Sequence, residues 1–338
     1  MQHLPKVSLI VTGGTITMTR SSNGGITPTL TGDDLVAAVP ELREHAELDV
    51  LSYSQMPGAS LSLDDLVAVA ALARQQLAQG SVGVVVVQGT DTIEETAFVM
   101  DMLVASDRPV VVTGAMRGPQ APGADGPANL LAAVIAASSE VLVGQGAVVV
   151  LNDEVHAARF VRKSHTVSTA AFASPGFAPL AHVVEGRVEA YARVQRGPGL
   201  DVPAKTLADV PVALLSAVLG DDGRMMSAVK RLGYQGAVVE ALGAGHLPAS
   251  WVPAAQALAS DMPVVLATRV RAGRVLEQTY GFAGSEKDLI EKGLIPAGLL
   301  SGPKACVLLR LLLAAGYTLD QTRTFFSGIQ ACYGARSH

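Results

Sequence analysis

Four stretches of this chain, residues 7–12, 82–87, 110–113 and 147–151, are dominated by valine, isoleucine and leucine with little polar alternation. A strand with one face in water alternates apolar and polar residues. A strand that is apolar throughout must be covered on both faces, as in a parallel sheet. Between and after these runs lie segments with helical apolar spacing, at residues 33–39, 63–79, 93–105 and 128–138. Strand and helix in alternation predict an α/β, doubly wound, mostly parallel sheet with right-handed crossovers. The helix starts are also legible. Thr31 or Asp33 can cap one helix, and Thr92 with Glu95 three residues on reads as a capping box for another.

The pattern breaks after residue 193. Residues 194–211 (VQRGPGLDVPAKTLADVP) carry three prolines and two glycines without periodicity, and read as a linker. A second, smaller α/β unit follows, with strands expected at 212–216, 236–240 and 263–268 and helices at 225–232, 252–258, 286–292 and 303–315. The expected organisation is therefore a larger N-terminal α/β domain over 1–193, a linker over 194–211 and a smaller α/β domain over 212–338.

Composition narrows the function. With 49% hydrophobic and 16% charged residues the chain can bury a core, which argues against disorder. Its net charge of −5 gives no basic surface for nucleic acid, and 4% aromatics argue against stacking platforms. Cys306 and Cys332 make no disulfide framework and no CxxC pair; they are expected as two small buried hydrophobes in a reduced, cytoplasmic compartment. The opening MQHLPKVSLIVTGG runs straight into a strand pattern, so no signal peptide is expected. The most membrane-like stretch, 307–315, is short and interrupted by Arg310, which reads as a buried helix and not a span.

In an open parallel sheet, ligands bind beyond the carboxyl ends of the strands. Those ends deliver Thr12-Gly13-Gly14-Thr15, Ser54-Gln55, Gln88-Gly89-Thr90-Asp91-Thr92, Thr113-Gly114-Ala115-Met116-Arg117 and Asn152-Asp153, with Lys163 shortly after. The TGGT turn is neither a P-loop nor a dinucleotide fingerprint, and taken alone it could be only a tight bend. In the GTDT run Thr92 serves as a cap, which leaves Thr90 and Asp91 over. Lys163 ends the run RFVRK at 159–163, which on its own could be a solvated basic face or an anion patch. No HExxH and no paired histidine spacing occur, so neither a metal nor any other cofactor is expected. Two threonines, a lysine, a carboxylate and glycine-turn N–H groups form a kit for metal-free acyl transfer.

The motifs TGGTI (12–16), QGTDTIEETA (88–97), GAMR (114–117), ADGPANL (124–130) and ND followed by Lys163 occur in this order. Together they closely resemble the bacterial-type L-asparaginases and glutaminase-asparaginases, over nearly the whole chain. The resemblance implies hydrolysis of a side-chain amide, L-asparagine to L-aspartate and ammonia, through a threonine acyl-enzyme. By motif, Thr15 would be the nucleophile. Thr90, Asp91 and Lys163 would form the second catalytic group, with Thr90 positioning water and Lys163 as its proton partner. Asp91 would also bind the substrate α-ammonium. Ser54 and Gln55 would hold the α-carboxylate and ammonium. The backbone around Thr90 and Ala115 would meet the amide carbonyl, and Gly14 and Gly89 would also bind substrate. The family's homotetramers, built of intimate dimers, complete each site from a neighbouring subunit.

Three departures bear on substrate. Members usually carry a tyrosine beside the nucleophile in the loop after TGGTI; here Gly24-Gly25 fall there, and no tyrosine lies between Thr15 and Tyr53. Where the neighbouring subunit often shows GNGN, this chain has Gly243-Ala244-Gly245-His246. His246 is therefore a candidate to reach across in place of an asparagine, its alternative being an ordinary loop histidine. Residues 274–284 differ from the stretch that supplies a neighbouring glutamate, with Glu277 and Tyr280 as stand-ins. Another amide (glutamine, a D-amino acid amide, a non-amino-acid amide) and a non-catalytic amino-acid sensor stay open as alternatives. Gly24, Gly25 and Gly32 are the expected hinges of a lid over 16–32.

Overall fold

In the computed structural model, which describes residues 3–20, 24–201, 203 and 205–333, the four apolar runs lie side by side in one sheet. Met1, Gln2, loop positions 21–23, linker positions 202 and 204, and the tail 334–338 lie outside the described residues. Two units are present, Met1–Gly199 and Leu200–His338.

In chain order the first unit carries strands β1 (Lys6–Val11), β2 (Met18–Arg20), β3 (Ile26–Pro28), β4 (Glu47–Ser52), β5 (Gly83–Val87) and β6 (Val110–Thr113). These are followed by β7 (Ala147–Leu151), β8 (Glu154–Ala157), β9 (Arg162–Lys163), β10 (Phe172–Ala173), β11 (Ala181–Val184) and β12 (Arg187–Ala190). Its helices are α1 (Gly32–Ala37), α2 (Leu42–His45), α3 (Leu63–Ala78), α4 (Ile93–Leu103) and α5 (Gly126–Ala137). The main sheet has the order β12-β11-β8-β7-β6-β5-β1-β4. From β4 to β7 all pairings are parallel; β8, β11 and β12 extend the sheet antiparallel.

The sequence logic is visible in β5, where Val84, Val85, Val86 and Val87 are all fully buried. Alternate residues face opposite layers. Val7, Leu9, Val85, Val87, Val111 and Val148 pack with Leu35, Leu42 and the apolar side of α5. On the other face Ser8 bonds Gln76 of α3 at 3.2 Å. Each such side chain removed from water is worth roughly 1.5–3 kcal/mol. Register then levels the strand ends: Val11 lies opposite Ser52 on one side and Val87 on the other, and Val87 opposite Thr113. The turns that follow all emerge along one edge.

The antiparallel half was not legible as such in the sequence. Asn152 and Asp153 have φ of 53° and 60°, so at the end of β7 they form the two-residue turn of a β7–β8 hairpin. Capping is mixed. Thr31 caps α1 reciprocally with Asp34, and Ser62 caps α3 reciprocally with Asp65. The capping box expected of Thr92 is absent: Thr92 Oγ1 instead donates to Gly58 O at 3.0 Å. At Gly32, the first residue of α1, a Cβ would lie 2.5 Å from Val50 Cγ1, so packing as well as backbone freedom calls for glycine there.

The second unit is a four-stranded parallel sheet in the order β13 (Val212–Ser216), β14 (Gly236–Ala241), β15 (Val264–Thr268), β16 (Ile295–Pro296). It carries α6 (Arg224–Ala228), α7 (Val252–Asp261), α8 (Glu286–Glu291), α9 (Gly302–Ala314) and α10 (Leu319–Tyr333). The last helix was not anticipated. Cys306 and Cys332 are half-buried, not fully buried as expected; burial pushes the Cys306 thiol up to about 11. Among the described residues no helix is long and apolar enough to cross a membrane.

Candidate active site

Four glycine turns meet at the strand-end edge, and they meet backbone to backbone. Gly14 has φ +91°, and a Cβ on it would lie 2.0 Å from Gly89 N. A Cβ on Gly89 would lie 2.7 Å from Gly58 N, and one on Gly114 would lie 2.4 Å from Gln88 O. No other residue fits such a crossing. It is pinned by Thr92 through Gly58 O and by Gln88 Nε2, which donates to Gly89 O and Thr92 Oγ1, both at 3.3 Å. Thr15 follows Gly14 and Thr90 follows Gly89, so the crossing makes these two threonines neighbours. Thr15 is partly exposed at the start of a short 3₁₀ turn, and its hydroxyl makes no hydrogen bond among the described residues.

Lys163 reaches this edge from a distant part of the chain. Its Nζ donates to Thr90 Oγ1 at 2.9 Å and to Asp91 Oδ1 at 2.7 Å. Thr90 is buried and Lys163 mostly so, while the Asp91 side chain is exposed. Only one Asp91 oxygen is engaged among the described residues. The RFVRK run is not a solvated face. Arg159 is buried in an ion pair with Asp101 at 3.3 Å, and Phe160 stacks on Phe177 with centroids 3.9 Å apart.

Ser54 sits beside the same turn with its Oγ donating to Thr12 O at 2.7 Å, which leaves it as an acceptor toward anything else; Gln55 is exposed. The first tyrosine after Thr15, Tyr53, donates to Asp65 at 3.1 Å. Burial, and then Asp65, raise the Tyr53 phenol, and the Ser62 hydroxyl is the main group holding Asp65 low.

The ADGPANL motif acts as a buttress. Asp125 accepts from Met116 N at 2.9 Å and Arg117 N at 2.8 Å, and Asn129 Nδ2 donates to Gly114 O at 3.0 Å. Asn129 Oδ1 also takes Asn152 N at 2.9 Å. With those N–H groups used, the N–H of fully buried Ala115 is left without an acceptor among the described residues. The buttressing role is carried by side-chain contacts; in the sequence its signal is the Asp-to-Asn spacing of four at a helix start.

His246 belongs to the second unit. Its Nε2 lies 3.3 Å from Glu286 Oε2, and its ring meets Tyr280 and Phe282 edge-on at 4.7 and 5.1 Å. Glu286 was not singled out in the sequence. Burial pushes its carboxyl up, but the N–H groups of Tyr280 and Thr279, with His246 nearby, outweigh that and hold it below its ordinary value. Glu277 pairs with Arg274 at 2.6 Å. Among the described residues no group of three or more histidine, cysteine or acidic side chains could hold a metal.

Comparison with known proteins covers both units. The model of the asparaginase N-terminal domain matches residues 6–196, and that of the glutaminase/asparaginase C-terminal domain matches 211–326. A probable L-asparaginase of Deinococcus radiodurans is 37% identical over 96% of this chain and 98% of its own. The L-asparaginase of Bacillus licheniformis is 33% identical over 92% of this chain and 96% of its own. A crystal structure of a probable cytoplasmic L-asparaginase from Campylobacter jejuni superposes with a TM-score of 0.84 at 30% identity, covering 96% of this chain and 99% of that one.

Proposed function

The chain belongs to the asparaginase family and is an enzyme of the L-asparaginase type; from that premise we propose that it hydrolyses L-asparagine to L-aspartate and ammonia through a threonine acyl-enzyme. The observation that carries the mechanism is Lys163 Nζ at 2.9 Å from Thr90 Oγ1, one glycine crossing away from Thr15. Thr15 Oγ1 adds to the side-chain carbonyl carbon, and the buried Ala115 N–H faces the developing oxyanion. The C–N bond breaks, the nitrogen takes the threonine proton and leaves as ammonia. Water held at Thr90 then adds to the ester; as the bond to Thr15 Oγ1 breaks, the water's proton, relayed through the Thr90–Lys163 pair, returns to Thr15 Oγ1 and aspartate is released.

Substrate recognition follows from charge. Asp91 has a second oxygen for an α-ammonium, and Ser54 can accept from the same group without giving up its bond to Thr12. The α-carboxylate is left to Gln55 and to nearby backbone. His246, with Glu286 behind it, is the residue we assign to completing the site of a neighbouring subunit in a homotetramer of intimate dimers. We place the activity in the cytoplasm, supported by the two free thiols and by the description of the Campylobacter relative.

One observation keeps a wider amide range in view: Tyr53 is tied to Asp65, and positions 24 and 25 are glycine, so no tyrosine of this loop assists Thr15. Glutamine and D-amino acid amides are the competing substrates. Ammonia release from L-asparagine, against Thr15→Ala as control, tests the proposal. Turnover abolished in Thr15→Ala is expected, and equal turnover in the two proteins would refute the nucleophile.

A further inference from the structure

Lys163 is carried on an excursion that leaves the main sheet after β8 and returns at β11. Its local frame is the two-rung β9–β10 ladder, where Lys163 faces Phe172 and Arg162 faces Ala173. Ser164 closes the ladder onto Ala171 O, through its N–H at 2.7 Å and its Oγ at 3.0 Å. The residue just after the ladder, Ser174, is buried, and its Oγ lies 3.0 Å from His156 Nδ1. His156 stands on β8, fully inside, with its Nε2 3.1 Å from Glu154 Oε2. The other Glu154 oxygen is 3.8 Å from His182 Nε2 on β11.

An ionised Glu154 only accepts, so Nε2 carries the imidazole proton and Nδ1 accepts from the Ser174 hydroxyl. Serine, imidazole and carboxylate in line is the arrangement of an activated nucleophile. Ser174 is only 6% exposed, however, and no substrate reaches it. A satisfied buried polar chain of this kind fixes geometry. What it fixes here is the attachment of the Lys163 ladder to a rigid strand of the main sheet.

We propose that His156 is a positioning residue for the reaction: braced by Glu154, it anchors Ser174 and so sets the reach of Lys163 Nζ to Thr90 Oγ1. The inference rests on Lys163 being the proton partner of Thr90. A lysine is a point charge on a flexible stem, so its backbone must be held for Nζ to arrive in one place. Misplacement by about 1 Å costs up to about a hundredfold in rate. The titratable groups facing His156 are Glu154 on its own strand and His182 on β11. Burial is the main influence on the imidazole and lowers its pKa; Glu154 pulls it back up and His182 pushes it further down. The ring is thus held in its neutral form into more acid solution than an ordinary histidine. In more acid solution a proton enters at Nδ1, and Ser174 must turn from donor to acceptor.

The test is kcat and KM for L-asparagine, across pH 5–8, in His156→Leu, His156→Asn, Ser174→Ala and the His156→Leu/Ser174→Ala double variant. We expect His156→Leu and Ser174→Ala each to lower kcat about tenfold with KM within about twofold. The double variant should be no worse than His156→Leu, because both remove one bond. His156→Asn, which keeps an amide near the Nδ1 position, should recover most of kcat and lack the wild-type fall toward the acid end of that range. Unchanged kcat in both single variants, additive losses, or kcat falling only in step with the folded fraction would each overturn the inference. If His156→Leu does not fold, Ser174→Ala decides by the same criteria. Lys163→Met separates the two levels. Its inactivity beside a fully active Ser174→Ala defeats the positioning role alone, whereas an active Lys163→Met defeats the reading beneath it.

Discussion

Two glycine pairs lie close together in the sequence of the first unit, and they have little in common. Gly13-Gly14 sit in a crossing where a Cβ on Gly14 would lie 2.0 Å from Gly89 N, and both glycines have positive φ, +117° and +91°. Gly24-Gly25 sit in the loop between β2 and β3, with nothing among the described residues within 4 Å of either would-be Cβ; Gly24 has φ +84°, while Gly25 is outside the left-handed region. The first pair is there because the turns must touch through their backbones. The second meets no such crowding, in a loop where the family usually places a tyrosine. A glycine is thus a packing requirement in one place and not in the other, and only the neighbours distinguish them.

The sharpest break in that contrast is Gly14→Ala. It combines a backbone clash with a conformation that L-residues avoid, and the atoms that must give way are those of Gly89, next to Thr90. The cost should exceed the roughly 3 kcal/mol of ordinary overpacking. Urea unfolding should find the variant largely unfolded or, if it folds, without asparaginase activity. A folded, active Gly14→Ala would mean that the crossing has slack, and the threonines would then owe their proximity to something else.

This difference also marks how far the sequence could be read. The parallel strands were legible because double burial forces continuous apolar runs, as in Val84–Val87 with no exposed atom. Helix caps were legible where the side chain had nothing better to do, as at Thr31, and misleading at Thr92, whose hydroxyl is taken by Gly58 O from another turn. Asn152-Asp153 carried a hairpin signal that was read only as part of a motif. In the candidate site, the glycines and threonines announce themselves by motif. The supports do not: Asp125 holding Met116 and Arg117, or His156 meeting Ser174 across 18 residues, are contacts that no local spacing encodes.

A smaller effect is expected at Gly24, where space is ample and only the backbone angle objects. Alanine in the left-handed region costs about 1–2 kcal/mol. Gly24→Ala should therefore lower the thermal midpoint by a few degrees while leaving KM near the wild-type value. A loss as large as that of Gly14→Ala would show that this loop is packed in the working enzyme, against a part of the assembly that supplies the missing contact.

Gly25 isolates the entropic component, because neither space nor backbone angle opposes a side chain there. Alanine at such a site stabilises by about 0.4–1 kcal/mol, by removing conformations from the unfolded chain. The same restriction acts on the loop in the native state, next to the turn that carries Thr15. If closure of the 16–32 loop is part of the catalytic cycle, Gly25→Ala should raise the thermal midpoint slightly and lower kcat, the trade expected where function draws on flexibility. Calorimetry and steady-state kinetics on the one variant read both effects. A higher midpoint with unchanged kcat would show that catalysis makes no use of the loop's freedom. Gly24-Gly25 would then matter only through the tyrosine they replace.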